Sequence, residues 1–137
     1  MALSYLADTS VLTRLAVPQV RDALQRLLGS AVIARCTMTD LELGFSARNA
    51  AEWDRIQTAA GAFLGVEVTA EDFRRAGQVQ RMLVVAGLKG RKVPDLLIAA
   101  AAERARLAVL HYDRDFEHIA QLTGQTQQWI VPPGTVD

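Results

Sequence analysis

Short apolar runs separated by longer stretches of helical period limit what this chain can become more than any other feature. Residues 3–7, 31–34, 65–68, 107–110 and 128–131 are brief and apolar-rich, and read as strands. Between them, apolar side chains recur three and four residues apart, as at Val20, Ala23, Leu24, Leu27 and Leu28, or Phe73, Ala76, Val79 and Leu83. Strands that alternate with helices must be joined by crossovers, and crossovers align strands in parallel. The pattern therefore predicts an α/β fold.

Capping residues mark the segments. Asp8-Thr9-Ser10 is suited to start a helix carrying Val11, Leu12 and Leu15, which Pro18 interrupts while opening another to about residue 28, closed by Gly29. A turn is expected at 37–39, then a helix with Leu41, Glu42 and Phe45. Asn49 caps a helix to about residue 63, and Thr69 caps a long one through Val84. From Pro94 the run Asp95-Leu96-Leu97-Ile98 and four alanines extends to about Arg106 with so little polar surface that burial on most sides is expected. A last helix is expected over 113–122.

At 137 residues the chain suits one domain, 1–137. Lys+Arg and Asp+Glu both number 15, so no global charge draws it to nucleic acid or membrane. Cys36 is the single cysteine and cannot form an internal disulfide; it reads as a small buried hydrophobe. The N-terminal residues carry no basic region and meet Asp8 early, so neither a secretory signal nor a membrane span is expected, and a cytoplasmic location is.

Chemistry gathers on acids. Asp8 follows the first strand, Asp113 follows the strand at 107–110, Asp95 opens the apolar helix, and Glu42 lies among Leu41, Leu43 and Phe45, where a carboxylate needs a partner. Each alone also suits a bland role: Asp8 and Asp113 as caps, Asp95 facing the helix dipole, Glu42 on the surface. Together they repel unless cations neutralise them, and an all-oxygen set suits Mg²⁺ or Mn²⁺ better than zinc. His111 and His118 lack ligand spacing, and Trp53 and Trp129, far from these acids in sequence, read as packing or interface residues.

The segments Leu6-Ala7-Asp8-Thr9-Ser10, Leu41-Glu42-Leu43-Gly44, Pro94-Asp95-Leu96-Leu97-Ile98-Ala99-Ala100 and His111-Tyr112-Asp113-Arg114-Asp115-Phe116 resemble, in order and spacing, the four acidic motifs of PIN domains. More closely they resemble the VapC toxins of bacterial VapBC toxin–antitoxin systems. Tyr112 departs from the pattern, standing where many relatives have Thr or Ser. The resemblance implies a three-layer α/β/α fold with a central, mainly parallel sheet of about five strands. It also implies Mg²⁺- or Mn²⁺-dependent cleavage of RNA, a homodimer and a cognate VapB-type antitoxin that blocks the acidic site. On it, Asp8, Asp95 and Asp113 are metal ligands, Glu42 binds metal through water or helps activate water, and Asp115, Thr9 and Ser10 are accessory.

From Phe73 to Pro94 there are six basic residues, Arg74, Arg75, Arg81, Lys89, Arg91 and Lys92, and no acidic one. Such a stretch suits an RNA backbone led toward Asp95, and equally a solvated helix face and loop. Lys89, Arg91, Lys92 and, after Asp8, Arg14 are the candidate RNA contacts. Two other readings use the same acids. A receiver-like signalling domain is one, but that family pairs adjacent acids after its first strand and places a lysine near its fifth. A catalytically silent PIN-like binding module is the other, and intact acids argue against it.

Overall fold

The computed structural model describes residues 4–88 and 92–136. Its five strands are β1 (Ser4–Ala7), β2 (Val32–Cys36), β3 (Leu64–Val66), β4 (Ala108–His111) and β5 (Gln127–Trp129). They form one sheet in the order β3-β2-β1-β4-β5, parallel at every pairing. Receiver-like proteins use the order 2-1-3-4-5, so this sheet excludes that reading.

The helices are α1 (Thr9–Leu12), α2 (Pro18–Leu28), α3 (Thr37–Phe45), α4 (Ala50–Ala60), α5 (Ala70–Val85), α6 (Val93–Ala105) and α7 (Asp115–Thr123). Strand side chains alternate between two cores. Leu6 and Val109 point into one with α5, α6 and α7, while Tyr5, Ala7, Ala108 and Leu110 point into the other with α1 and α2. Helices therefore cover both faces, giving three α/β/α layers. In α6 every residue from Asp95 to Ala102 is buried, as its composition demands. Its alanines let the helix lie close to its neighbours. No helix among the described residues is long and apolar enough to cross a membrane.

Several boundaries match their caps. Pro18 lies in the first turn of α2, Asn49 accepts a hydrogen bond from Glu52 N at 2.8 Å, and Thr69 with Asp72 forms a capping box on α5. Others differ. The helix expected through Leu15 is one turn long, because the backbone after Leu12 breaks into turns before Pro18. No separate turn occupies 37–39; β2 passes at Cys36 directly into α3. α4 ends at Ala60, where Gly61 follows. Four strands begin or end one or two residues from expectation, since pairing across the sheet, and not local apolarity, sets their ends. The Lys89 and Arg91 contacts expected in the basic loop lie outside the described residues.

Candidate active site

β1 and β4 are adjacent parallel strands, and their carboxyl ends deliver the first and fourth acids side by side. Asp8 N donates to Leu110 O at 2.8 Å, continuing the ladder past β1. Ser10 joins the two strand ends: its backbone N–H donates to Asp8 Oδ2 at 2.9 Å, and its Oγ accepts from Tyr112 N at 2.8 Å. Asp8 is thus the N-cap of α1 as well as a site acid. One oxygen caps, which leaves the other for a ligand.

Asp8 is 2% exposed and Asp95 4%. Asp8 Oδ1 and Asp95 Oδ2 are buried and accept no hydrogen bond. A buried, unpartnered carboxylate oxygen costs several kcal/mol if ionised. The charge balance shows that strain. Burial, then repulsion from Asp8 and Asp113, pushes the Asp95 carboxyl up to about 8. Burial also raises Asp8, against the hydrogen bonds from Ser10. Asp113 goes the other way: burial would raise it, but the Asp115 N–H at 2.9 Å and the Lys92 ammonium hold it below the usual carboxylate range.

Asp95, Asp113 and Asp115 each offer an oxygen within 4.8 Å of the others. Ligands about 2.0–2.6 Å from one ion lie at most about 4–5 Å apart, so the spacing fits a shared cation. Asp8 is outside that triplet but raises the Asp95 carboxyl through its charge. Lys92 Nζ takes the cation's position in the charge balance, 3.0 Å from Asp113 Oδ2 and 3.9 Å from Asp95 Oδ2. With all-oxygen donors, two buried oxygens that accept no hydrogen bond and an ammonium bridging two acids, the residues fit a hard divalent metal.

Glu42 reaches the site from α3. Its Oε1 accepts from Thr9 Oγ1 at 2.6 Å, and the Thr9 and Thr39 hydroxyls are 3.0 Å apart. This hydroxyl is the partner that the sequence demanded. The expected apolar setting is corrected, however: Leu41 is 72% and Phe45 93% exposed, so α3 turns those side chains outward while Glu42 faces in. Burial raises the Glu42 carboxyl, opposed by Thr9, with Asp8 adding to the rise.

His111 is buried, its Nε2 2.5 Å from Gln127 Oε1, and its Nδ1 accepts from Asp113 N at 3.1 Å, so it orients the Asp113 backbone. Arg14 donates to Ser10 O at 2.8 Å and lies 5.0 Å over the Tyr112 ring. Arg75, one of the six basic residues, is bound at 2.8 Å to Glu103, near the opposite end of α6 from Asp95. Trp129, remote from the motifs in sequence, sits 4.9 Å from the His111 ring beside the fourth motif. Sequence spacing hides this neighbour. The parallel pairing of β4 with β5 sets His111 opposite Trp129.

Comparison with known proteins agrees with this architecture. Residues 5–122 match the PIN domain family. Ribonuclease VapC51 of Mycobacterium tuberculosis is 55% identical over 137 residues, covering all of both chains, and Ribonuclease VapC21 of the same species is 40% identical, covering 98% of this chain and 99% of that one. In three dimensions the chain resembles VapBC2 from Rickettsia felis, crystallised bound to a promoter DNA fragment, with a TM-score of 0.76 at 15% identity over 93% of this chain and 98% of that one. Four acidic motifs carried to one end of an all-parallel sheet, and full-length identity to these relatives, place the chain in the PIN-domain family, among the VapC proteins.

Proposed function

We propose that the protein is the toxin of a VapBC-type toxin–antitoxin system, a ribonuclease that hydrolyses RNA phosphodiester bonds with Mg²⁺ or Mn²⁺. The observation that carries this reading is the pair of buried oxygens that accept no hydrogen bond, Asp8 Oδ1 and Asp95 Oδ2, in a cluster of acids. So unfavourable an arrangement is offset where a cation is held. Asp8, Asp95 and Asp113 would hold the ion, and Asp115 stands close enough to Asp95 and Asp113 to join them. When bound, such an ion supplies an activated water and neutralises charge on the phosphate.

The chain's own residues do the rest. Glu42, its Oε1 fixed by Thr9, would take a proton from the attacking water, and burial, which raises its carboxyl, favours that role. Ser10 and His111 fix the backbones that carry Asp8 and Asp113. Lys92, whose ammonium is 3.0 Å from Asp113 and 3.9 Å from Asp95, would be placed to hold a non-bridging phosphate oxygen, with Arg14 and, by sequence, Lys89 and Arg91 as further candidate phosphate contacts. A cognate VapB-type antitoxin restrains the enzyme, and the protein acts as a cytoplasmic homodimer. The exposed Leu41, Phe45 and Leu64 supply apolar surface for those interfaces.

Purified protein with RNA, with and without Mn²⁺, tests the reading, with sequencing of the 5′ ends of the fragments. Metal-dependent cleavage at defined sites is expected, and Asp8→Asn abolishes it without unfolding the chain. A fully active Asp8→Asn enzyme would sink the assignment.

A further inference from the structure

Where the acidic cluster ends, an open cavity of about 540 Å³ begins, with Asp113 on its rim. Its walls are Tyr112 and Trp129, whose rings meet edge to face at 5.4 Å, and the C-terminal residues 133–136. The Tyr112 hydroxyl donates to Val136 O at 2.6 Å and accepts from Gly134 N and Val136 N at 3.1 and 3.2 Å. Trp129 Nε1 donates to Glu117 Oε1 at 3.1 Å. Both aromatic rings are therefore held by their polar edges. Guanidiniums lie on their faces: Arg14 over Tyr112 at 5.0 Å and Arg114 over Trp129 at 5.8 Å.

Arg14 is anchored to Ser10 O, but the Arg114 side chain is 63% exposed and only 3.7 Å from Glu117 at its nearest approach. A surface contact of that kind is easily exchanged. Flat aromatic walls capped by guanidiniums bind nucleobases without regard to sequence, because every base has a π-face. The volume lies in the range of small-ligand sites, roughly 300–1,000 Å³. Positive charge at the walls suits a flanking phosphate, and Asp113 joins the cavity to the metal cluster.

We propose that this cavity is a nucleoside subsite for the single-stranded RNA residue next to the scissile bond. Its base stacks on Trp129 in place of Arg114, whose guanidinium then pairs with the adjacent phosphate. The inference rests on the ribonuclease reading for its substrate. It also gives Tyr112 a role: its phenol ties residues 134–136 into the subsite wall.

Two measurements test it on the full-length protein. The chain has two tryptophans, so in Trp53→Phe the emission reports Trp129 alone. Titration in chelator with AMP or UMP should quench that emission saturably, while ribose 5-phosphate should not. Separately, an RNA cleaved by the enzyme is remade with one abasic nucleotide at each position in turn. One position beside the scissile bond should raise KM by about 5- to 150-fold with little change in kcat. Trp129→Ala should erase that discrimination, Trp129→Phe restore most of it, and Arg114→Ala raise KM alone. Trp129→Phe keeps a ring in the wall and covers the case in which the alanine variant does not fold. Normal cleavage with no sensitive position and no quenching overturns the subsite and leaves the ribonuclease intact. Quenching without any metal-dependent cleavage does the reverse. Quenching by a glutamate-rich peptide but not by nucleotides assigns the cavity to a protein partner and overturns the proposal.

Discussion

Burial and the charges of Asp8 and Asp113 hold a proton on Asp95 up to about pH 8, while Asp113 beside it is kept ionised by Asp115 N–H and Lys92. The two carboxyls differ because one is buried in the first turn of α6 with an oxygen that accepts no hydrogen bond, and the other lies at a strand end with two donors. Neutralising Asp95 should therefore separate stability from function. Asp95→Asn is expected to lower metal-dependent cleavage more than about 100-fold, on the scale at which lost coordination is felt. In chelator at pH 8.5 the same variant should melt higher than the parent by several degrees, at about 4 °C per kcal/mol for a chain of this size. Thermal unfolding of both proteins checks it, and a lower melting point would mean that the carboxylate stabilises the metal-free fold. Lys92 gives a second prediction. Its ammonium, 3.0 Å from Asp113 and 3.9 Å from Asp95, stands where the proposed ion would be held, so Lys92→Met should bind Mn²⁺ a few-fold more tightly by calorimetry while raising KM for RNA. Weaker metal binding would show that the lysine organises the site instead.

At the scale of elements, the clearest test is the start of α5. Asp72 is 1% exposed, accepts from Thr69 N at 2.9 Å as half of the capping box, and takes Arg104 Nε and Nη2 at 2.9 and 3.1 Å. Burial works to raise its carboxyl, but Arg104 and Thr69 outweigh it and leave it below the usual range. A depressed carboxyl stabilises the fold above its unfolded pKa, and that share is lost as pH falls through the folded value. Asp72→Ala removes one half of the capping box and leaves Arg104 the Glu67 carbonyl in place of its carboxylate, so it should cost about 2–4 kcal/mol at pH 7 by denaturant unfolding, with the gap to the parent closing below about pH 4. A gap that persists at pH 3 would assign the loss to packing. Elements also show what the sequence made legible. Caps and prolines act locally, so the starts of α2, α4 and α5 were readable from Pro18, Asn49 and Thr69. Strand ends depend on partners far along the chain, which is why they shifted by a residue or two. The same cause hid Trp129 from view until β5 paired with β4. Asp8, Glu42, Asp95 and Asp113 were legible as motifs, and Asp115 as an accessory beside the fourth, yet nothing local told that Lys92 bridges Asp95 and Asp113.

For the whole molecule, the order β3-β2-β1-β4-β5 puts β1 at the centre, and the chain winds outward from it in both directions. The carboxyl ends of β1 and β4 are where such a sheet opens a crevice, and there the fold collects Asp8, Asp113 and the start of α6. Local charge is thus concentrated in a chain whose net charge is zero. Metal binding and folding must be linked through it. Asp95 has a folded carboxyl raised to about 8 from an unfolded value near 3.8, so between those values the folded state holds a proton that the unfolded state has lost. Stability of the metal-free protein from this group is full below about pH 4 and declines as pH rises toward 8. A divalent ion needs the ionised form and offsets the repulsion that causes the decline, so it binds more tightly as pH rises and releases a proton. The rise in melting temperature on adding Mn²⁺ should therefore be larger at pH 8 than at pH 5.5, and calorimetry in two buffers of different ionisation enthalpy should show proton release near pH 7. Asp95→Asn should flatten both. A metal-induced shift of equal size at the two pH values, or one that persists unchanged in Asp95→Asn, would place the ion away from this carboxylate and undo the assigned site.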